Sequence, residues 1–208
     1  MKITVYSAKG SAGKTPIATN IALDKGYAIG TNEQFHVFDS FIEEEKLLAI
    51  PLEESFPEIP NGIDIVFDLA GSIGIHSKSI SSSIMQSNIV LIPIYNEIKS
   101  LSAGINSINE VMKLNKNIIV VATKLQKQRG EIFTDWTKSS DYINISRAVK
   151  ENISDEILVL PLKFSKVFDT IFEKEKSINQ LMESDKLANY SYRDVGKQFN
   201  KIYEKIGI

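Results

Sequence analysis

The sequence predicts a doubly wound α/β fold, in which a mostly parallel sheet carries helices on both faces. Short apolar segments rich in valine and isoleucine alternate with segments of helical pattern, as in parallel sheets that are buried on both sides. A glycine-containing loop at 7–15 separates the first apolar segment from the first helical one. The 208 residues suffice for one core of ordinary size, so a single domain over 1–208 is expected.

Six strands account for the apolar segments. In chain order they are expected at 2–6, 35–39, 63–71, 88–94, 117–123 and 157–162. The loop that holds Pro51, Pro57 and Pro60 is expected to form no regular element, because proline interrupts both helices and sheets. Since the first strand begins at residue 2, no helix-turn-helix extension is expected before it.

Helical segments separate most of these strands. They are expected at 16–26, 77–87, 101–114 and 140–151, and again from Phe164 onward. Near the end of the chain, apolar residues recur at spacings of three and four: Tyr192, Val195, Phe199, Ile202 and Ile206. This stripe is the ordinary pattern of a helix that packs on a sheet, so attachment to a membrane is not expected.

Composition excludes several kinds of chemistry. The chain has no cysteine, which rules out disulfides, thiolate metal sites, cysteine-ligated iron–sulfur clusters and cysteine nucleophiles. It has no signal peptide and no uncharged apolar run near the roughly 18 residues of a membrane span, so a cytoplasmic protein is expected. Residues 1–104 hold 7 basic against 12 acidic side chains, a net of −5, and residues 105–208 hold 17 against 14, a net of +3. This division permits a basic face in the second half.

The segment 9–15, Lys-Gly-Ser-Ala-Gly-Lys-Thr, is the strongest functional signal. A phosphate chain needs a loop of small residues whose backbone N–H groups point inward, followed by the positive end of a helix. The loop is supplied by Gly10, Ser11, Ala12 and Gly13. Lys14 is expected to contact the β- and γ-phosphates, and the Thr15 hydroxyl to bind Mg²⁺.

The loop departs from the standard phosphate-loop pattern in a specific way. The first glycine of that pattern is replaced by Ala8, and Lys9 lies five residues before Lys14. This arrangement resembles the deviant Walker A motif, K-G-G-x-G-K-[ST], of the ParA/MinD superfamily of P-loop ATPases. In that family the first lysine reaches across a nucleotide-sandwich dimer to the partner's phosphates, a role that the resemblance assigns to Lys9. The resemblance also implies ATP and Mg²⁺ as cofactors.

Three later segments, 66–71, 87–104 and 157–178, resemble the same family in order and spacing. By resemblance, Asp68 is the Walker B carboxylate that holds Mg²⁺ through water, and Gly71 lies near the γ-phosphate. A carboxylate at the end of an apolar strand suits that role independently, because α/β sheets bind ligands at the carboxyl ends of their strands. Pro161 and Leu162 are implied as contacts of the adenine base.

Other positions differ from the family pattern. Ser11 replaces a glycine, which is tolerable if its φ is negative. Pro16 lacks the N–H that usually points toward the α-phosphate, so somewhat weaker nucleotide binding is expected. The family has two aspartates after its second strand, and only Asp39 is available here at the end of the predicted strand 35–39. Asp39 is therefore the candidate for positioning the attacking water, and slow hydrolysis is expected.

The leading hypothesis is a ParA-like ATPase. It forms an ATP-dependent homodimer, binds DNA nonspecifically in the nucleoid, and drives plasmid or chromosome partition with a ParB-like partner. Six lysines of the second half are candidates for DNA contacts: Lys163, Lys166, Lys174, Lys176, Lys197 and Lys201. Two alternatives remain: a MinD-like positioning ATPase at the membrane and a P-loop enzyme similar to dethiobiotin synthetase. Lys9 favours the dimerising ATPases over the second of these.

Overall fold

The computed structural model describes residues 1–71 and 77–208. A seven-stranded sheet forms its centre, with neighbouring strands in the order β3-β2-β4-β1-β5-β6-β7. Each pair of neighbours in the described part of the chain runs parallel. The strands are β1 (Lys2–Val5), β2 (Ala28–Thr31), β3 (Leu47–Ala49), β4 (Ile65–Asp68), β5 (Ile89–Ile94), β6 (Ile118–Leu125) and β7 (Leu158–Lys163).

Helices cover both faces of the sheet. They are α1 (Lys14–Lys25), α2 (Lys78–Gln86), α3 (Ile98–Val111), α4 (Ser140–Asn152), α5 (Val167–Lys174), α6 (Ile178–Ser184) and α7 (Lys186–Ile206). The apolar side chains of α1, α5, α6 and α7 share one core with one face of the strands. Those of α2, α3 and α4 share a second core with the opposite face. The prediction of a doubly wound α/β fold is confirmed.

Side chains along each strand alternate between the two cores, as the two-residue period of a strand requires. In β4, Val66 enters the core of α1 and α7, whereas Ile65 and Phe67 enter the core of α2 and α3. In β5, Leu91 enters the core of α1 and α7, and Ile92 enters the core of α2 and α3. The valine- and isoleucine-rich runs of the sequence therefore reflect strands that are buried on both sides.

The second predicted strand, 35–39, is wrong. Residues Phe38–Ser40 form a short 3-10 helix, in which Phe38 is buried and the ring of His36 stacks on it at 5.7 Å. The second strand is instead Ala28–Thr31, whose Gly30 lies against Phe67 so closely that a Cβ there would come within 2.5 Å of the ring. The requirement for glycine at this contact weakens the apolar signal that identifies a strand.

A third strand lies where no element was expected. Leu47–Ala49 pairs with Ile29, Gly30 and Thr31 of β2, and it ends just before the first of the prolines in that segment. Its three residues form a strand because β2 offers a free edge, a tertiary cause that local sequence does not express. The other strands and the helices agree with prediction to within a few residues at their ends.

The sheet order determines where the loops meet. β1 has β4 on one side and β5 on the other, so the chain builds the sheet first to one side of β1 and then to the other. In open parallel sheets such a change of direction opens a crevice at the carboxyl ends of the strands. The loop after β1, which is the glycine-containing loop, lies at that crevice.

The last helix, α7, packs its apolar stripe into the core. Val195, Phe199, Ile202 and Ile206 are buried, which confirms the prediction of a core-packing helix. None of the helices in the described ranges is long and apolar enough to cross a membrane.

Candidate functional site

A cavity of about 610 Å³ opens at the carboxyl edge of the sheet. This volume lies within the usual range of small-molecule sites. Eight of the predicted site residues line it: Gly10, Ser11, Gly13, Lys14, Thr15, Pro16, Gly71 and Leu162. Residues that were not predicted for the site also line it, among them Glu33, Thr123, Lys124, Phe164 and Phe168.

The glycine-containing loop is fixed at both ends by side chains from other elements. The Thr123 hydroxyl of β6 donates a 2.9 Å hydrogen bond to the carbonyl of Ala12, and the Ala8 N–H donates to Ser107 Oγ at 3.0 Å. Gly13, with φ of +97°, turns the chain into α1. No side chain of the described residues caps α1, so the N–H groups of its first turn remain available to an anion in the cavity.

Ser11 has φ of +58°, so the condition under which a serine would be tolerated here without cost, a negative φ, is not met. The left-handed region disfavours residues with a Cβ by about 1–2 kcal/mol. The loop therefore keeps the glycine-like conformation of the family pattern although a serine occupies the position.

Pro16 is the third residue of α1, where an N–H has no partner within the helix. Its ring therefore removes no helical hydrogen bond, and it lines the cavity beside Thr15. The N–H that it lacks is one that a bound anion would otherwise receive.

Lys14 places a buried cation in the cavity, since only 6% of its surface is exposed. Burial lowers the pKa of its ammonium group, and the charges of Asp68 and Glu33 act in the opposite direction. A Cβ added at Gly71 would lie 3.2 Å from the Lys14 Nζ and 3.3 Å from the backbone N of Gly10. The absence of a side chain at Gly71 thus leaves room for the ammonium group.

Asp68, the last residue of β4, is a buried carboxylate, of which only 1% of the surface is exposed. Neither of its oxygens accepts a well-formed hydrogen bond from the residues that the structure describes. Burial raises the pKa of Asp68 from 3.8 to about 7, although Thr15 and Lys14 act to lower it. Two unpaired carboxylate oxygens beside a threonine hydroxyl are the donor set that Mg²⁺ uses when phosphates complete its coordination. The residues fit the ion.

Among the site residues that sequence reasoning missed, Glu33 is the one whose charge acts on Lys14 and Asp68. It follows the end of β2 by two residues, lines the cavity, and its charge acts on both Lys14 and Asp68. Its backbone N–H donates to the Thr31 hydroxyl at 3.1 Å. With β2 placed at Ala28–Thr31, Glu33 is the acid at the carboxyl end of the second strand, which is the position that the resemblance reserves for catalysis.

Known structures share the fold over nearly the whole chain. A Cyanothece McdA variant in complex with ATP superposes with a TM-score of 0.67 at 14% identity, covering 100% of this chain and 97% of that one. MinD of Pyrococcus horikoshii OT3 complexed with Mg-ADP superposes with a TM-score of 0.57 at 11% identity, covering 98% of this chain and 97% of that one. The pNOB8 ParA structure superposes with a TM-score of 0.56 at 14% identity, covering 98% of this chain and 96% of that one. The chain has the ParA/MinD fold. No protein-family model and no curated protein sequence matches it.

Five predicted residues do not line this cavity: Lys9, Ala12, Asp39, Asp68 and Pro161. Ala12 and Asp68 are buried beside it through their contacts with Thr123 and Thr15, whereas Asp39 and Pro161 lie apart from it. Asp39 lies on the 3-10 helix rather than at the end of a strand; its side chain is 77% exposed, with a carboxylate oxygen 3.7 Å from His36 Nδ1. Pro161 pairs with Ala122 inside the sheet, and its neighbour Leu162 lines the cavity in its place. The fold therefore brings Leu162 to the site but not Asp39 or Pro161.

Lys9 lines a different cavity of about 760 Å³ on the other side of the loop. One side of α3, from Ile98 and Lys99 to Glu110, forms much of its wall. Within residues 1–71 and 77–208, no carboxylate forms an ion pair with Lys9. Lys9 and Lys14 thus line two different cavities.

The predicted DNA-contacting lysines do not share one environment. Lys163 is half-buried, with its ammonium 5.2 Å from the centre of the Trp136 ring and 3.9 Å from Asp194. Lys201 is paired with Glu204 at 2.9 Å. The remaining four are exposed: Lys166, Lys174, Lys176 and Lys197.

Proposed function

We propose that the chain is a ParA-like ATPase that binds ATP with Mg²⁺, forms an ATP-dependent nucleotide-sandwich homodimer and binds DNA nonspecifically. The observation that carries the proposal is that Lys14 and Thr15 line one cavity beside an uncapped helix N-terminus, and that both act on the buried carboxylate of Asp68. A cation, a hydroxyl and an unpaired carboxylate are the groups that phosphoryl transfer to water requires.

Each of these groups has a defined part in the reaction. The N–H groups of the loop and of the first turn of α1 bind the phosphate oxygens, and Lys14 stabilises the negative charge that develops on the γ-phosphate. Thr15 and Asp68 hold Mg²⁺, which when bound neutralises phosphate charge. At the opposite end of the cavity, Leu162, Phe164 and Phe168 offer an apolar surface to the base.

Glu33 replaces Asp39 in the proposed mechanism. A water that attacks the γ-phosphate needs an acceptor on the side of the cavity where Gly71 and Lys14 meet, and Glu33 acts electrostatically on that side. We assign to Glu33 the task of orienting this water. We do not assign this role to Asp39, because its side chain is exposed and it lies on the 3-10 helix rather than directly after β2.

The position of Lys9 supports the proposed dimer. Lys9 lines a cavity beside α3 and is not among the residues that line the nucleotide cavity of its own chain. A second copy that brings its phosphates to this surface would supply the anion that Lys9 lacks. The exposed Ile98, at 85%, adds apolar surface to the same region.

Nucleotide titrations of two lysine variants test the proposal. Lys14→Ala should lose most of its affinity for ATP, because the phosphate charge is left without its buried cation, whereas Lys9→Ala should bind ATP as a monomer as the wild type does. Equal loss in both variants would contradict the assignment of Lys9 to the partner's nucleotide. Loss in neither would contradict a nucleotide site at this loop.

DNA partition with a ParB-like partner is the cellular role that we propose for such an ATP-dependent dimer, with nucleoid association in the cytoplasm. Dimerisation doubles the number of exposed lysines that contact phosphates, and DNA affinity rises steeply with that number. Wild-type protein should therefore shift duplex DNA with ATP in a salt-sensitive manner and shift little with ADP. Co-sedimentation with liposomes instead of DNA binding would favour a MinD-like role, which the burial of the α7 stripe disfavours.

A further inference from the structure

Asn32, the residue before Glu33, connects three segments through one buried side chain. Only 5% of its surface is exposed. Its Oδ1 accepts a 2.6 Å hydrogen bond from the N–H of Ala70, and its Nδ2 donates at 2.8 Å to the hydroxyl of Ser79 on α2. Asn32 thus joins the end of β2 to the segment after β4 and to α2.

The orientation of the Asn32 amide is fixed by its neighbours. The backbone of Ala70 offers only an N–H here, so the amide oxygen must face it. The Ser79 hydroxyl donates its own hydrogen to the carbonyl of Leu52 at 2.8 Å, and so it receives the amide N–H of Asn32. Ser77 donates to the same carbonyl at 2.8 Å, which extends the network to the loop after β3.

Both ends of this network border the cavity. Ala70 precedes Gly71, where an added Cβ would lie 3.2 Å from the Lys14 ammonium. Asn32 precedes Glu33, which lines the cavity and acts electrostatically on Lys14 and Asp68. A rigid connection between Ala70 and Asn32 therefore sets the distance between Gly71 and Glu33.

We infer that Asn32 is a positioning residue for ATP hydrolysis, which holds Glu33 and Gly71 in register across the reacting phosphate. The inference rests on the proposed function and adds to it. Asn32 is not among the residues that line the cavity, and it acts through its two neighbours. Because a misplacement of about 1 Å at a reacting centre can cost on the order of a hundredfold in rate, loss of this connection should slow chemistry more than it weakens binding.

Steady-state hydrolysis and ATP affinity of Asn32→Ala, Ser79→Ala and Ser82→Ala test the inference. Ser82 is the matched control: it lies on the same helix, accepts a 2.9 Å hydrogen bond from the Phe56 N–H and donates at 3.1 Å to the Ser79 carbonyl. Among the described residues, the side chain of Asn32 bonds to Ala70 and to the Ser79 hydroxyl and not to Ser82. Asn32→Ala should lower kcat at least about tenfold with less than about a threefold change in ATP affinity. Ser79→Ala should lower kcat severalfold, and Ser82→Ala should match the wild type.

The outcomes separate the inference from the function on which it depends. A wild-type protein that does not hydrolyse ATP would overturn the proposed function and the role of Asn32 with it. An active wild type in which Asn32→Ala hydrolyses ATP as Ser82→Ala does, or loses affinity and kcat equally, would overturn the role of Asn32 alone. If thermal unfolding shows that Asn32→Ala does not fold, the comparison of Ser79→Ala with Ser82→Ala decides: equal rates reject the inference, and a lower kcat at unchanged affinity in Ser79→Ala supports it.

Discussion

Thr123 and Ala12 lie 111 residues apart in the chain and are joined by a buried hydrogen bond of 2.9 Å, from the Thr123 hydroxyl to the Ala12 carbonyl. This bond attaches the glycine-containing loop to strand β6, which lies between β5 and β7 in the sheet. Thr123 also lines the cavity, close to Gly13, and therefore contributes both to the shape of the loop and to the wall of the site. The hydrogen bond therefore fixes the conformation of the loop at Ala12.

Thr123→Val keeps the shape of the side chain but removes this hydrogen bond, leaving a buried carbonyl unpaired. We expect the free energy of unfolding to fall by about 1–3 kcal/mol and ATP affinity to fall with it. Thr170→Val is the control, because the Thr170 hydroxyl makes only a long, exposed bond of 3.4 Å to Lys166. Denaturant unfolding and nucleotide titration of both variants measure the effect. Equal behaviour would show that the loop does not depend on Thr123.

Ser11→Gly should stabilise the free protein. Glycine adopts a φ of +58° without the cost that a Cβ imposes, so the free energy of unfolding should rise by about 1 kcal/mol. Ser11→Ala separates the backbone from the hydroxyl: it retains the strain and should leave stability near that of the wild type. A Ser11→Gly protein that is no more stable than Ser11→Ala would mean that the loop relieves the strain in another way.

Asp68 makes the stability of the free protein depend on pH. Its pKa is raised from 3.8 to about 7 in the folded state, so the unfolded chain releases this proton first as the pH rises. The contribution of Asp68 to the free energy of unfolding is therefore lost progressively between about pH 4 and pH 7, by at most about 4 kcal/mol. Asp68→Asn does not titrate, so its stability relative to the wild type should increase over this interval.

Magnesium should reverse this dependence, because it binds the ionised form of Asp68. Binding of the Mg²⁺–nucleotide complex should strengthen as the pH rises through about 7 in the wild type and remain flat in Asp68→Asn. Unfolding curves at pH 5 and pH 8, with and without Mg²⁺ and nucleotide, measure both effects. A wild type and a variant with parallel pH profiles would contradict the raised pKa.

The parts of the fold that sequence predicts are those whose signal is local. β5 and β6 are long apolar runs, which indicate strands that are buried on both faces. α7 repeats its apolar residues at helical spacing, which indicates a helix that is buried on one face. β2 has no such local signal, because it needs a glycine at position 30, where the ring of Phe67 from another strand packs closely. β3 also has no local signal, because its three residues form a strand only by pairing with β2.

The site divides in the same way. Lys14 and Thr15 are recognised by spacing within a single loop, and Asp68 by its place at the end of an apolar strand. Glu33 has no such signal in the sequence, because its role depends on where β2 ends. The predicted strand begins seven residues after the observed one, and the prediction therefore assigned that role to Asp39. Phe164 and Phe168 enter the cavity because α5 follows β7 closely, a tertiary arrangement that no short motif records.

Glu33 and Asp39 can be distinguished by one pair of variants. Glu33→Gln keeps the size of the side chain but removes the charge that orients the attacking water, so kcat should fall about a hundredfold. ATP affinity should hold or rise slightly, since a negative charge near the phosphates is lost. Asp39→Asn removes a carboxylate that is 77% exposed and outside the cavity, and its kcat should equal that of the wild type. Single-turnover hydrolysis with bound ATP measures the chemical step directly. If Asp39→Asn were the slow variant and Glu33→Gln the normal one, the 3-10 helix at Phe38–Ser40 would have to move into the site during turnover, and the proposed assignment of Glu33 would be wrong.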